Sequence, residues 1–284
     1  MTIAQTQGRD QTRLMEALGL EKPEARLETQ VLLSHALGVS KAFLIAHRDE
    51  YLPSGQEIHY QSLLERRLTG EPIAYILGER EFYSLVFKAT PAVLIPRPET
   101  ELLVELALTH IPQDNACQVL DLGTGSGAVG ITIAKHRPNA RVTAVDQSAD
   151  SLAVARENAK LLHTDNVTFC QSDWYNMLGV RKFDIIVANP PYIRDNDPHL
   201  SQGDLRFEPI SALAAGADGL SCIRAIVQGA QKHLLPEGWL LFEHGYDQAD
   251  QCQILLRENG FCDVESVRDL SNVQRVTQGT FKIP

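Results

Sequence analysis

The stretch that decides the fold covers residues 119–130 and reads VLDLGTGSGAVG. An apolar strand runs into a turn with three glycines, and the apolar residues that follow predict a helix from Ala128 to His136. Glycine lets the backbone approach a ligand closely, and the unpaired N–H groups at a helix start can face a carboxylate or a phosphate. The stretch therefore predicts a cofactor site at a strand–turn–helix junction.

Two classes of cofactor fit this junction. The turn contains the G-x-G-x-x-G spacing of the dinucleotide fingerprint, which is typical of NAD sites. A second predicted strand, residues 140–146, ends in Asp146, and an acid at that place can bind the ribose hydroxyls of either cofactor. Asp121 favours S-adenosylmethionine, because a carboxylate there can anchor the turn or meet the methionine ammonium but would repel a pyrophosphate. NAD remains the alternative.

A third predicted strand ends in the pair Asp173-Trp174, within residues 167–174 (VTFCQSDW). Asp173 could accept a hydrogen bond from an adenine amino group, and Trp174 could cover the purine face. A tryptophan of the core that follows a helix-capping aspartate is the ordinary interpretation of such a pair. The position at a third strand end, beside two others of ligand-binding type, favours the cofactor site.

A fourth strand ends in an unusual tetrapeptide within residues 183–192 (FDIIVANPPY). Two consecutive prolines stop the strand, because neither can donate to the sheet, and they hold Asn189 and Pro190 in extended geometry. The Asn189 side-chain oxygen and the Pro190 carbonyl could accept the two N–H bonds of a planar –NH2 group, with the Tyr192 ring on its flat face. Without the upstream motifs, a simple proline-rich turn would be as good an interpretation.

Strand and helix alternate from Cys117 onward. The predicted strands are 117–122, 140–146, 166–171, 183–189, 238–243, 261–268 and 275–282, and the predicted helices lie near 127–136, 148–162, 219–235 and 246–259. This alternation predicts an α/β fold with a mostly parallel seven-stranded sheet covered on both faces. The last two strands are joined by a turn alone and should pair antiparallel. Every motif described above falls at a strand's carboxyl end, where such sheets bind ligands.

The rest of the chain predicts two further segments. Residues 1–72 show helical spacing only, and predict a small helical domain that recognises a partner or serves as a structural cap. Residues 73–95 predict a β-hairpin linker with strands at Ala74–Gly78 and Glu81–Phe87, which leaves 96–284 as the catalytic domain. Residues 193–218 are long for a connection, as in a lid or a disordered loop.

Composition limits the possible functions. A net charge of −10 over 284 residues argues against a protein that holds nucleic acid mainly through phosphates. No apolar run has the length of a membrane span, and the N-terminus lacks the features of a signal peptide. The five cysteines are scattered and the nine histidines show no ligand spacing. We therefore expect a cytoplasmic protein with no membrane partner and no metal site.

Together these motifs resemble a known family. The glycine-rich turn followed by Asn-Pro-Pro-Tyr is similar to class I S-adenosylmethionine-dependent methyltransferases that act on a planar nitrogen. Residues 94–101 (LIPRPETE), the segment 207–220 and the helical N-terminal region narrow the resemblance to the PrmC/HemK family. That family methylates the glutamine of the GGQ motif in class 1 peptide chain release factors, so the resemblance implies this N5-glutamine methylation and this partner.

The resemblance also implies roles for individual residues. With the two acids Asp121 and Asp173 argued above, the expected cofactor-binding set is Asp121, Gly123, Thr124, Gly125, Ser126, Gly127, Asp146, Asp173, Trp174 and Asn189. The expected substrate-binding set is Asn189, Pro190, Pro191 and Tyr192, of which Asn189, Pro190 and Tyr192 are the catalytic candidates.

Three other functions stay open from the sequence alone. A paralogous family methylates a glutamine of a ribosomal protein with the same tetrapeptide. N6-adenine methyltransferases use similar turns, because a flipped adenine presents the same planar amino group. An NAD-dependent oxidoreductase, or a cofactor-binding module without catalysis, would leave the tetrapeptide without a role.

Overall fold

The computed structural model describes residues 1–282, which form two compact units, Met1–Gly78 and Glu79 onward. Each unit has its own buried apolar core. Helices build the first unit, and both β-sheets lie in the second.

Helices of the first unit begin and end at local sequence signals. They are α1 (Ile3–Leu18), α2 (Lys22–Leu37), α3 (Lys41–Ala46), α4 (Ser54–Leu68) and α5 (Ile73–Leu77). Thr2 and Gln5 form a capping box at the start of α1, and Gly19 and Gly38 end α1 and α2 with left-handed backbone angles. The helices bury a common core that includes Leu14, Leu32, Leu33, Tyr60 and Leu64.

The strand predicted at Ala74–Gly78 is wrong, because this segment is helix α5. Pro72 precedes the helix, and Gly78, with φ 76°, ends it, so proline-start and glycine-stop signals frame five residues. Ile76 is buried in the core of the first unit, and Ile73 and Leu77 pack against that core. These three side chains have helical spacing, but an apolar run this short is also consistent with a strand.

The hairpin lies wholly after that helix. Strands β1 (Glu79–Phe82) and β2 (Leu85–Lys88) pair antiparallel, with Phe82 opposite Leu85. The two residues between them, Tyr83 and Ser84, have φ of 53° and 60°, a two-residue turn that usually carries asparagine or glycine. The segment Glu81–Phe87, predicted as one strand, therefore folds back at a turn made of residues that are not typical of such turns.

A seven-stranded sheet organises the second unit. Its strands are β3 (Cys117–Leu122), β4 (Ala140–Asp146), β5 (Val167–Gln171), β6 (Phe183–Ala188), β7 (Leu234–Glu243), β8 (Phe261–Arg268) and β9 (Gln274–Phe281). Their order is β5-β4-β3-β6-β7-β9-β8, and in the described chain β9 runs opposite to the other six strands of this sheet. The predicted α/β fold, a mostly parallel seven-stranded sheet with an antiparallel last strand plus a helical N-terminal domain, is confirmed.

Helices cover both faces of the sheet. They are α6 (Glu101–His110), α7 (Ala128–His136), α8 (Ala149–Leu161), α9 (Ser221–His233) and α10 (Ala249–Glu258). Alternate residues of β6 enter different cores: Ile185 and Val187 pack on one face, and Ile186 and Ala188 on the other. Burial on both faces explains why β3 and β6 read as nearly continuous apolar runs.

The long connection after β6 is a series of short 3-10 turns at Pro198–Ser201, Gly203–Phe207 and Ile210–Ala212. Ile193 exchanges backbone hydrogen bonds with its far end, donating to Leu213 at 2.9 Å and accepting from Ala215 at 2.8 Å. The loop is thereby closed at its base, and its residues Pro209, Ser211 and Ala212 line the cavity described next.

Candidate active site

A cavity of about 430 Å³ lies at the carboxyl edge of the sheet, in the size range of small-molecule sites. Ten of the thirteen residues predicted for the site line it, namely Asp121, Gly123, Thr124, Gly125, Ser126, Asp146, Asp173, Trp174, Asn189 and Pro191. Gly127, Pro190 and Tyr192 lie behind this lining. The fold thus gathers four separate strand ends around one space.

Two glycines of the turn allow close backbone packing. Gly127 precedes α7 with φ 86°, and a Cβ there would lie 2.4 Å from Ile131 Cδ1. Gly130 sits in the first turn of α7, where a Cβ would lie 2.7 Å from Asp121 Oδ2. A larger residue at either position would push the helix away from the strand end. Gly127 therefore affects the shape of the site without lining the cavity.

Asp121 anchors the glycine-rich turn. Its Oδ2 accepts hydrogen bonds from Thr124 Oγ1 at 2.6 Å and from the Gly130 N–H at 3.0 Å. The side chain is almost fully buried, and this burial raises its pKa to about 6, although both hydrogen bonds act in the opposite direction. Because Asp121 is buried and lines the cavity, a cationic ligand beside it would stabilise the ionised carboxylate.

Asp146 ends β4 with both carboxylate oxygens directed by backbone N–H groups. Oδ2 accepts from Gly125 at 2.9 Å, and Oδ1 accepts from Ser148 at 2.9 Å. Burial raises its pKa, and the backbone hydrogen bonds lower it. Each oxygen keeps a further lone pair, so the carboxylate can accept from two adjacent hydroxyls, as a ribose offers.

Trp174 lies over the glycine-rich turn. Its ring is 3.6 Å from the position that a Cβ of Gly123 would occupy. The backbone of Trp174 has φ 45°, a left-handed conformation that is costly for a bulky residue and is found mainly at functional sites. Ser172 Oγ donates to the Trp174 carbonyl at 2.8 Å and helps to hold this turn, which presents Asp173 to the cavity.

The charge of the lining distinguishes between the two cofactor classes. Four aspartates line the cavity, at positions 121, 146, 150 and 173, and no lysine, arginine or histidine occurs in the lining that the structure describes. Such a surface attracts the ammonium and sulfonium of S-adenosylmethionine and repels a pyrophosphate. This acidic lining fits the cationic S-adenosylmethionine and does not fit the pyrophosphate of NAD.

Asn189 belongs to a hydrogen-bond chain that the sequence did not reveal. Asn189 Nδ2 donates to Thr100 Oγ1 at 3.0 Å, and Thr100 Oγ1 donates to Glu243 Oε2 at 2.7 Å. The hydroxyl of Tyr192 donates to Glu243 Oε1 at 3.1 Å. Burial raises the pKa of Glu243, while the bonds from Thr100 and Tyr192 lower it. Tyr192 is therefore linked to Asn189 through its hydroxyl, Glu243 and Thr100, and its ring packs against the core.

A signal for Glu243 is present in the sequence. β7 pairs in parallel with β6, with Phe242 beside Ala188, so Glu243 and Asn189 end adjacent strands at one edge. The strand-end rule that selected Asp146 and Asp173 applies equally to Glu243. Thr100 had no such signal, because it lies in the 3-10 turn before α6.

A second contact links two segments that contribute to the cavity wall. Glu208 of the long loop is buried and forms a salt bridge with Arg97, and its Oε2 accepts from the Ile95 N–H at 3.1 Å. This bond joins the loop to the LIPRPETE segment. Residues 91–94 and Pro96 on one side, and Pro209, Ser211 and Ala212 on the other, form the more apolar part of the lining.

Other features of the described chain bear on function. Over residues 1–282 no group of three or more histidine, cysteine or acidic side chains has the arrangement of a metal site. No helix in the same range is both long and apolar enough to cross a membrane. All five cysteines are free thiols.

Two family models match the chain. The one described as Methyltransferase small domain matches residues 99–203, and the one described as PrmC N-terminal domain matches residues 11–78. Among solved structures, a methyltransferase from Pyrococcus furiosus has a TM-score of 0.55 at 16% identity, covering 78% of this chain and all of that one. At such low identity the likeness concerns the fold alone.

Curated relatives match over nearly the whole length. A release factor glutamine methyltransferase from Aliivibrio fischeri is 44% identical over 273 residues, which are 95% of this chain and 96% of the relative. A protein of the same name from Burkholderia pseudomallei is 51% identical over 264 residues, covering 90% of this chain and 92% of its own. Both units described above are therefore included in the similarity.

Proposed function

The chain belongs to the release factor glutamine methyltransferase family, and from this we propose that it transfers a methyl group from S-adenosylmethionine to the N5 side-chain nitrogen of the GGQ glutamine in class 1 peptide chain release factors. The observation that carries the proposal is the identity of 44–51% over nine-tenths or more of the chain to relatives of that name. These relatives favour release factors over a ribosomal protein or an adenine as the substrate.

The cofactor site is proposed from the lining of the cavity. Asp146 would accept from the ribose hydroxyls, Trp174 would cover the adenine, and Asp173 would accept from its amino group. Asp121 and the turn Gly123–Gly127 would hold the methionine end. When bound, S-adenosylmethionine supplies an electrophilic methyl group on a sulfonium. The four aspartates around the cavity support a cation at this place.

The amide nitrogen of glutamine is a poor nucleophile, because resonance delocalises its lone pair into the carbonyl. The Asn189 side-chain oxygen and the Pro190 carbonyl would accept its two N–H bonds and turn the lone pair toward the methyl group. The enzyme then works mainly by positioning and by excluding water. As the nitrogen lone pair forms the new carbon–nitrogen bond, the methyl carbon–sulfur bond would break and leave its electron pair on the sulfur. The methylated nitrogen would then be acidic and lose one proton to solvent, which fits a tetrapeptide without histidine or glutamate.

We assign residues 1–72, and by extension the first unit, the recognition of the protein substrate. The match of the PrmC N-terminal domain to residues 11–78 supports a family-specific role for this unit. Because release factors act on ribosomes, the enzyme should work in the cytoplasm, which agrees with its free cysteines.

The function is tested by incubation with labelled S-adenosylmethionine and a panel of substrates. The panel holds a class 1 release factor, the same factor with the GGQ glutamine changed to alanine, a glutamine-methylated ribosomal protein in its unmodified form, and DNA. Label in the unaltered release factor alone supports the proposal. Label in the ribosomal protein or DNA, with none in the release factor, would overturn it.

A further inference from the structure

We infer that Thr100 and Glu243 are positioning residues that fix the side-chain amide of Asn189 in one of its two orientations, with the oxygen toward the cavity. The inference rests on the proposed function, since the direction of this amide matters for a substrate that offers two N–H bonds. It assigns a role to two residues outside the glycine-rich turn and the tetrapeptide.

Glu243 ends β7 and is 1% exposed. Its two carboxylate oxygens have different partners, Thr100 Oγ1 on Oε2 and the Tyr192 hydroxyl on Oε1. A carboxylate only accepts hydrogen bonds, so both hydroxyls must donate to it. The direction of the Thr100 O–H bond is thereby set by the buried acid.

Thr100 is also buried, with 3% of its surface exposed. A threonine hydroxyl has one proton and two lone pairs. Because the proton points at Glu243, only a lone pair faces Asn189 at 3.0 Å, and Asn189 must donate its –NH2 there. The carbonyl oxygen of the same planar amide then points away from Thr100 Oγ1, into the cavity that Asn189 and Thr100 both line.

The opposite orientation would obstruct the reaction. If the amide of Asn189 turned over, its –NH2 would face the –NH2 of the substrate glutamine, donor against donor. Its oxygen would meet a lone pair of Thr100 and leave one buried acceptor without a partner, at a cost of about 1–3 kcal/mol. Glu243 and Thr100 together make the productive orientation the stable one before substrate arrives.

The fold brings these groups together from distant parts of the chain. Asn189 and Glu243 end parallel neighbours of the sheet, in the register where Ala188 pairs with Phe242. Thr100 stands directly before α6, whose Leu103 and Val104 are buried in the core. A rigid strand pair and a packed helix start therefore hold the chain of hydrogen bonds.

The test compares Thr100→Val, which keeps the branched shape and loses the hydroxyl, with Thr100→Ser, which keeps the hydroxyl. Thr109→Val, on the exposed side of α6, is the matched control. We expect Thr100→Val to lower kcat for release factor methylation about 10- to 100-fold, the range for outer partners that orient a functional group. The KM for release factor should change less than about threefold, and Thr100→Ser should restore most of the rate.

A double-mutant cycle separates this role from a structural one. If Thr100 acts through Asn189, Thr100→Val should have almost no further effect in an Asn189→Ala background. Equal losses in both backgrounds would overturn the inference, as would wild-type kcat in a folded Thr100→Val. If Thr100→Val does not fold, Glu243→Gln takes its place in the same cycle, because it removes one of the two acceptor oxygens and keeps the shape. Absence of release factor methylation by the wild-type enzyme would refute the proposed function and not this inference alone.

Discussion

Asp121 both stabilises the glycine-rich turn and faces the cofactor site. The same carboxylate holds Thr124 and the start of α7, and it lines the cavity at a pKa raised to about 6 by burial. Replacement by a polar residue therefore affects both the shape of the turn and the charge that faces the ligand. Its titration gives the clearest pH signature of the site.

We expect the affinity for S-adenosylmethionine to fall as the pH drops below about 6. The sign follows from the raised pKa: the ionised carboxylate attracts the ammonium, and below its pKa Asp121 is mostly protonated and loses that attraction. Asp121→Asn keeps the size and an acceptor but cannot titrate, so its affinity should be weaker at neutral pH and flatter between pH 5 and 7 (roughly one unit either side of the pKa). Calorimetric titrations at several pH values measure this, and equal slopes for both proteins would exclude Asp121 from the binding of the cation.

Asp146 provides the second test at this scale. Asp146→Ala leaves two ribose hydroxyls and the N–H groups of Gly125 and Ser148 without their acceptor. The affinity for S-adenosylmethionine should weaken by about 1–3 kcal/mol. Asp150→Ala, which removes another acid from the same lining, is the control and should have a smaller effect. An unchanged affinity in folded Asp146→Ala would remove this residue from the site.

At the scale of elements, the close approach of β3 and α7 depends on Gly130. A Cβ at this position would meet Asp121 Oδ2 at 2.7 Å, so Gly130→Ala should destabilise the protein by about 1–3 kcal/mol and weaken cofactor binding. Gly8→Ala is the matched control, because Gly8 lies in α1 with no atom within 4 Å of its Cβ position. It should stabilise the helix by about 0.4–1 kcal/mol. Urea denaturation followed by circular dichroism measures both, and a Gly130→Ala as stable as wild type would contradict the packing argument.

The strand ends explain how much of the structure the sequence predicts. Predicted strands that end near Asp146, Asp173 or Asn189 are local signals, and the parallel sheet places their ends at one edge. The fold class and most of the cavity lining follow from them. The hairpin turn at Tyr83 and Ser84 does not follow, because its residues adopt left-handed angles without the usual asparagine or glycine.

The hydrogen-bond chain behind Asn189 cannot be predicted from local sequence, for a different reason. Thr100 and Glu243 lie 143 positions apart in sequence and meet only through the register of β6 and β7 and the packing of α6. The role of the Tyr192 ring at the substrate stays a prediction, and the bond from its hydroxyl to Glu243 was not predicted. Long-range contacts of this kind become visible only when the sheet is assembled.

At the scale of the whole molecule, the first unit is proposed to select the protein substrate. Deletion of residues 1–78 should leave the affinity for S-adenosylmethionine within about twofold, because the cavity belongs to the second unit. Methylation of intact release factor should fall sharply, while a short GGQ peptide at high concentration should still be modified. Retained cofactor binding serves as the control for folding. Full activity of the truncated enzyme on intact release factor would refute the docking role.

The central claim is that Asn189, held in one orientation, prepares a glutamine amide for methyl transfer, and single-turnover kinetics test it most directly. Wild-type enzyme and Asn189→Ala, both saturated with S-adenosylmethionine, are mixed with a class 1 release factor, and the modified residue is mapped by tandem mass spectrometry. The account predicts one added methyl group on the GGQ glutamine and a rate about 10²–10³ lower in the variant, the range for loss of one preorganised polar contact. A wild-type rate in folded Asn189→Ala, or a methyl group on any other residue, would contradict it.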